Sequence, residues 1–170
     1  MLEKALTQIT KVQRKELHLV GAGRTDAGVH AWGQVAHFVT PFNYNTLDSI
    51  HAALNGLLPL DIRVREIGAA VPEFHARFSC RSGFMYRQVR NMVALLIQVG
   101  KEALDSDIVP MILETKDRRE LAKYTLPAPP HGLCLVSVKY KEDHLQLPPD
   151  CPLTSFGRHH TITKCKLPFY

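Results

Sequence analysis

One stretch constrains the fold more than any other. Phe84 to Val99 sets apolar residues at helical spacing, with Ser82 placed to cap its start and Gly100 to stop it. Its uncharged part, Asn91 to Gly100, is far short of the ~20 apolar residues that cross a bilayer, and Asn91 and Gln98 interrupt it. The helix is therefore expected in a globular core, mostly buried. Yet it includes Arg87 and Arg90, spaced so that they share one helical face. A buried arginine needs a carboxylate beside it, and no acidic residue occurs from Phe74 to Lys101. The partner has to come from far along the chain, and Asp26 is the candidate.

The rest of the composition fits a globular fold. The chain has 170 residues, 45% hydrophobic and 22% charged, which excludes a disordered or fibrous class and is long enough for one ordinary core or two small ones. The formal charge of +5 favours polyanionic partners without specifying a fold. Met1 to Glu16 mixes charges with spaced apolar residues, unlike a secretory signal, so an intracellular chain is expected, with no compartment indicated and no membrane partner. Cys80, Cys134, Cys151 and Cys165 are scattered and expected to be reduced. Cys151, His159, His160 and Cys165 fall near one another, but the spacing fits no structural zinc pattern, so no metal is expected.

Leu2, Ala5, Leu6, Ile9 and Val12 mark an amphipathic helix, and Thr46 to Leu58 a second one closed by Pro59. Strands are expected at Leu17 to Val20, Gln34 to Thr40, Ile62 to Ile67 and Leu133 to Tyr140, with Phe74 to Ser79 extended. A shorter helix is expected from Ser106 to Glu114, then a turn at Pro127, Pro129 and Pro130. The pattern predicts an α+β fold, a mainly antiparallel sheet with helices packed on one face. Residues 1–80 form its first part, 81–143 supply the late helix and closing strand, and 144–170 are expected to be a loosely held tail.

The loop Gly21-Ala22-Gly23-Arg24-Thr25-Asp26-Ala27-Gly28-Val29-His30 sets an acid among glycines, with a base two residues before it. One reading presents an ionised Asp26 as nucleophile or general base, with Arg24 near an anionic substrate. The other is a β-turn in which Asp26 bonds its own backbone. A second feature bears on the choice: Arg77, Arg81, Arg87, Arg90 and Lys101 alternate with Phe74, Phe78, Phe84 and Tyr86. Guanidinium groups that meet phosphates and rings that stack on bases suit an RNA surface. Phe84 and Tyr86 equally suit a helix core.

These segments resemble a known family. Gly21 to Phe38, GAGRTDAGVHAWGQVAHF, resembles the signature loop of the TruA family of tRNA pseudouridine synthases; Glu73 to Ser79, Phe84 to Lys101 and Pro127 to Tyr140 resemble three further family segments in the same order. The resemblance implies isomerisation of uridine to pseudouridine in tRNA, without metal or organic cofactor, on a shortened version of the synthase fold, with a possible homodimer. It implies that Asp26 is the catalytic aspartate, Arg24 the arginine that assists base flipping and Arg90 the ion-pair partner of the acid. RNA contacts are expected at Arg77, Arg81, Arg87, Lys101 and His30. Relatives are also expected to have a strand before the first helix, and a long segment, with a tyrosine that stacks on the target base, where this chain runs from Ser79 almost directly into Phe84. Tyr86 belongs to the helix motif and is not its counterpart in sequence. The alternative reading is an RNA-binding remnant of the family with impaired catalysis.

Overall fold

A computed structural model describes residues 1–80, 83–147 and 149–157. In chain order the elements are α1 (Leu2–Thr10), β1 (Val20–Gly21), β2 (His30–Ala31), β3 (Ala36–His37), α2 (Asp48–Leu57), β4 (Glu66–Ile67), α3 (Gln88–Gly100), α4 (Ile108–Thr115), α5 (Arg118–Tyr124), β5 (Cys134–Leu135) and β6 (Ser155–Phe156). Two compact units result, and they are interleaved in sequence, whereas the boundaries expected after residues 80 and 143 are linear. Of the described residues, the first unit takes those in 1–20, 37–74 and 142–157, and the second those in 21–36 and 75–141.

The first unit is built on α1 and α2. Leu6, Leu17, Ile50 and Leu54 are its most deeply buried side chains, joined by Ala5, Val12, Leu47 and Leu58. The spacing of Leu2, Ala5, Leu6 and Ile9 gives α1 one apolar stripe, which is the reason it docks there. It ends where Lys11 turns left-handed at φ 58° and Thr10 Oγ1 donates to the Leu6 carbonyl at 2.8 Å. α2 ends at Leu58, whose extended conformation is what Pro59 demands of the residue before it. On the buried side of α2, His51 Nδ1 lies 2.9 Å from Ser155 Oγ and Nε2 lies 2.8 Å from the Val64 carbonyl, while the Ser155 hydroxyl donates to Asp48 at 2.5 Å. These bonds and the antiparallel pairing of β6 with β4 tie residues 155–157 to the unit, so the loosely held tail expected from the sequence does not begin before them. His159, His160 and Cys165 lie outside the described residues.

The second unit packs α3 against α4 and α5 through Leu95, Ile112 and Leu121, supported by Leu104, Ile108 and Val109. α3 is less buried than its composition suggests. Only Asn91, Ala94 and Leu95 are inside, and Met92, Val93, Leu96 and Ile97 face solvent. It also starts later than expected, at Gln88, because Arg87 adopts a left-handed conformation at φ 56° and breaks the helical path. Ser82, the expected cap, lies outside the described residues. Residues 75–79 form a turn, not an extended segment: His75 N–H donates to Ser79 Oγ at 2.9 Å and Ser79 N–H to the His75 carbonyl at 2.8 Å.

The α+β class holds, but among the described residues the ladders are short and mixed. β2 pairs in parallel with β5, a direction open to it because the connection through α3, α4 and α5 is a long crossover. β4 and β6 run antiparallel, and Cys80 and Tyr140 form a single antiparallel bridge. A mainly antiparallel sheet is therefore only partly what forms.

Candidate active site

The site is built wholly within the second unit, from the loop between β1 and β2, the start of α3 and the proline-rich turn before β5. The loop is a turn first: the Asp26 carbonyl accepts from Val29 N–H at 3.0 Å, and Gly28 in between takes φ +83°. Only glycine fits there, since a Cβ would also lie 3.1 Å from the Pro130 ring. The loop is anchored at both ends. Ala22 N–H donates to the Val35 carbonyl at 2.8 Å and Gln34 Nε2 to the Gly23 carbonyl at 3.0 Å, while β2 is held on β5 by the bond from His30 N–H to the Leu133 carbonyl, 3.0 Å. Gly33 follows where β2 leaves the ladder, so close that a Cβ would sit 2.5 Å from the Val136 carbonyl oxygen.

The turn uses the backbone of Asp26 and leaves its carboxylate for other work. Arg90 Nη1 donates to Asp26 Oδ2 at 2.5 Å, and the two side chains are only 11% and 16% exposed. This is the long-range pair that the charge pattern of the helix requires. Arg87, at the cap of α3, places its Nε 3.9 Å from the same oxygen and stays half exposed. Arg90 is held at a second point, with Nε donating to the Ala128 carbonyl at 2.6 Å, and Ala128 N–H donates back to the Arg90 carbonyl at 3.2 Å. Sequence reasoning misses this latch, although the signal is present. Pro127 and Pro129 flank Ala128 and keep residues 127–129 out of helix and ladder, so the Ala128 carbonyl is left for a side-chain donor.

A cavity of about 470 Å³ opens over the pair, lined by Arg24, Thr25, Asp26, Ala27, Tyr86, Arg87, Arg90 and Pro130. That volume suits a small-molecule-sized group. Three guanidinium groups around one carboxylate give the walls a net positive charge, which favours an anionic ligand. Arg24 is exposed at the rim.

The other expected contacts are not gathered at this cavity. Arg77 is exposed on the turn at residues 75–79, and His30 lies in β2 without lining the cavity. Lys101 caps the far end of α3, about 20 Å from Arg87 at the helical rise of ~1.5 Å per residue. Arg81 lies outside the described residues. Phe84 and Tyr86 are exposed, which corrects the reading of them as helix core; they precede α3 and no apolar layer covers them. Among the described residues, no group of three or more His, Cys, Asp or Glu is placed to hold a metal ion.

Residues 79–141 match the family model for tRNA pseudouridine synthase. The tRNA pseudouridine synthase A of Limosilactobacillus fermentum is 29% identical over 224 residues, covering 82% of this chain and 85% of the relative. That of Lactiplantibacillus plantarum is 26% identical over 230 residues, 86% of each. The enzyme of the same name from Chloroflexus aurantiacus is 51% identical over 78 residues, 46% of this chain and 27% of the relative. The long alignments leave a consistent number of positions unmatched by this chain. As 82% of 170 residues is about 139, some 85 of the 224 aligned positions of the first relative have no counterpart here, and the second gives about the same number.

Proposed function

We propose that this chain is a member of the TruA family of tRNA pseudouridine synthases and isomerises uridine to pseudouridine in tRNA with Asp26 as its catalytic carboxylate. The observation that supports this most strongly is the Asp26–Arg90 pair at the base of an open, basic cavity. The reaction breaks the bond between N1 of uracil and C1′ of the ribose, joins C1′ to C5, returns a proton to N1 and loses the proton from C5. It transfers no electrons overall. What it needs is an anion to attack or stabilise the electron-poor sugar carbon, and a base held out of its stack.

In this reading Arg90 holds the carboxylate in its orientation, and Arg24, at the rim, helps to turn the nucleotide in. Arg77, Arg81, Arg87, Lys101 and His30 meet tRNA phosphates, positioning the substrate without reading its sequence. The fold is a shortened version of the synthase fold, and the substrate class puts the chain inside the cell, away from membranes. The reading includes a homodimer, supported by the exposed apolar face of α3 at Met92, Val93, Leu96 and Ile97.

The total of about 85 unmatched positions favours a second reading, an RNA-binding remnant with impaired catalysis. Tritium release from tRNA labelled at uridine C5 separates the two. Release that disappears in Asp26→Asn supports the enzyme; tRNA binding with no release supports the remnant.

A further inference from the structure

The cavity holds one aromatic ring, and the resemblance assigns it no role. We infer that Tyr86, backed by the Arg87 guanidinium, is the surface on which the target base stacks beside Asp26, an inference that rests on the functional reading above.

Three observations converge on it. Tyr86 lines the same cavity as Asp26, Arg24 and Arg90. It is 55% exposed, so the ring is not a packing element, and the left-handed Arg87 that follows keeps it off α3. Finally, the Arg87 guanidinium carbon lies 4.7 Å from the Tyr86 ring centroid, while its Nε is 3.9 Å from Asp26 Oδ2. Ring, cation and carboxylate form one continuous row.

The chemistry of that row matches a nucleobase. A uracil turned out of its helix loses the stacking of its neighbours, and an aromatic side chain restores it. The Arg87 guanidinium covers one face of the ring, so the base stacks on the other, and its charge favours the adjoining phosphate. Phe84 and Met85 are exposed too, yet neither lines the cavity, which singles out Tyr86. The platform thus comes from the approach to α3, in a chain that lacks about 85 positions present in its relatives.

The test uses the full chain with Tyr86→Ala, Tyr86→Phe and Asp26→Asn. One readout is turnover by tritium release, and the other is quenching of 2-aminopurine placed at the target position of a short RNA. Tyr86→Ala should melt like the wild type, lower turnover about tenfold to a hundredfold, and abolish the quenching. Tyr86→Phe, which keeps the ring, should restore most of both, and Asp26→Asn should quench while failing to turn over. If Tyr86→Ala turns over or quenches as the wild type does, the inference is wrong while the functional reading stands. If the wild type shows no turnover, the functional reading fails, and quenching that depends on Tyr86 still decides the platform. Loss of turnover with quenching intact would also overturn it, since the ring would then act otherwise than by stacking.

Discussion

Replacing Arg90 by Ala removes two interactions at once. Asp26 loses the guanidinium 2.5 Å away, and the Ala128 carbonyl loses the donor at 2.6 Å. Breaking a buried ion pair from one side costs about 3–5 kcal/mol, mostly from the charge left behind. The lower end applies, because Asp26 keeps 16% of its side chain in contact with solvent and Arg87 remains 3.9 Å away. The orphaned carbonyl adds to this only as far as water cannot reach it. The total expected is about 3–4 kcal/mol, or a fall of roughly 6–16 °C in the melting temperature of a chain this size. Circular dichroism melts of wild type, Arg90→Ala, Asp26→Asn and the double variant form the assay. The cycle should give a coupling of about 1.5–3 kcal/mol between the two residues. Arg90→Lys should recover little, since one ammonium cannot serve carboxylate and carbonyl with the geometry of a fork. Additive effects, with coupling below about 0.5 kcal/mol, would refute the argument that this pair holds loop to helix.

Gly28→Ala has to accommodate φ +83° and a methyl 3.1 Å from Pro130, so it should destabilise by about 1–3 kcal/mol in the same melt; a neutral result would mean that the turn relaxes freely. Arg77→Ala should flatten the plot of log tRNA affinity against log salt by about 0.7–0.9 if the side chain meets one phosphate, and an unchanged slope would remove it from the interface. Burial first, and the Cys80 thiolate second, push Tyr140 from 10.0 to about 12, and its hydroxyl donates to the Ala76 carbonyl at 2.8 Å. Because the folded value lies above the unfolded one, its contribution to stability is complete below pH 10 and is lost as the pH rises towards about 12. The phenolate absorbance missing from Tyr140→Phe should accordingly titrate near 12, and titration near 10 would contradict the burial.

The parts of the molecule legible in the sequence are those set by local pattern or by a charge that has to be answered. α2 follows from its apolar spacing and Pro59. That Arg90 meets an acid from far along the chain follows from its apolar, acid-free stretch; that the acid is Asp26 is what the resemblance implies, and the two do pair. α5 was legible but is not called by periodicity, as its seven residues are too few; its signal is the cap, where Asp117 accepts from Arg119 N–H at 2.8 Å with Glu120 in the first turn. Contacts between distant, individually ordinary residues left no signal. Ser155 reaches Asp48 and His51 across about a hundred positions, and nothing in the sequence around Ser155 marks it as buried. The late start of α3 is of the same kind. Phe84 to Arg87 has the composition of a helix, and the departure comes from the left-handed turn at Arg87, which lets Arg87 and Tyr86 both reach the cavity.

The most direct test of the central claim is to count pseudouridine in unmodified tRNA after incubation with the purified chain, by separating the nucleosides of the digested RNA. The account predicts that pseudouridine appears at the expense of uridine, one for one, with the wild-type chain, and that Asp26→Asn yields none while still folding and binding tRNA. Pseudouridine formed equally by the Asp26→Asn variant, or none formed by a folded wild-type chain that binds tRNA, would contradict it.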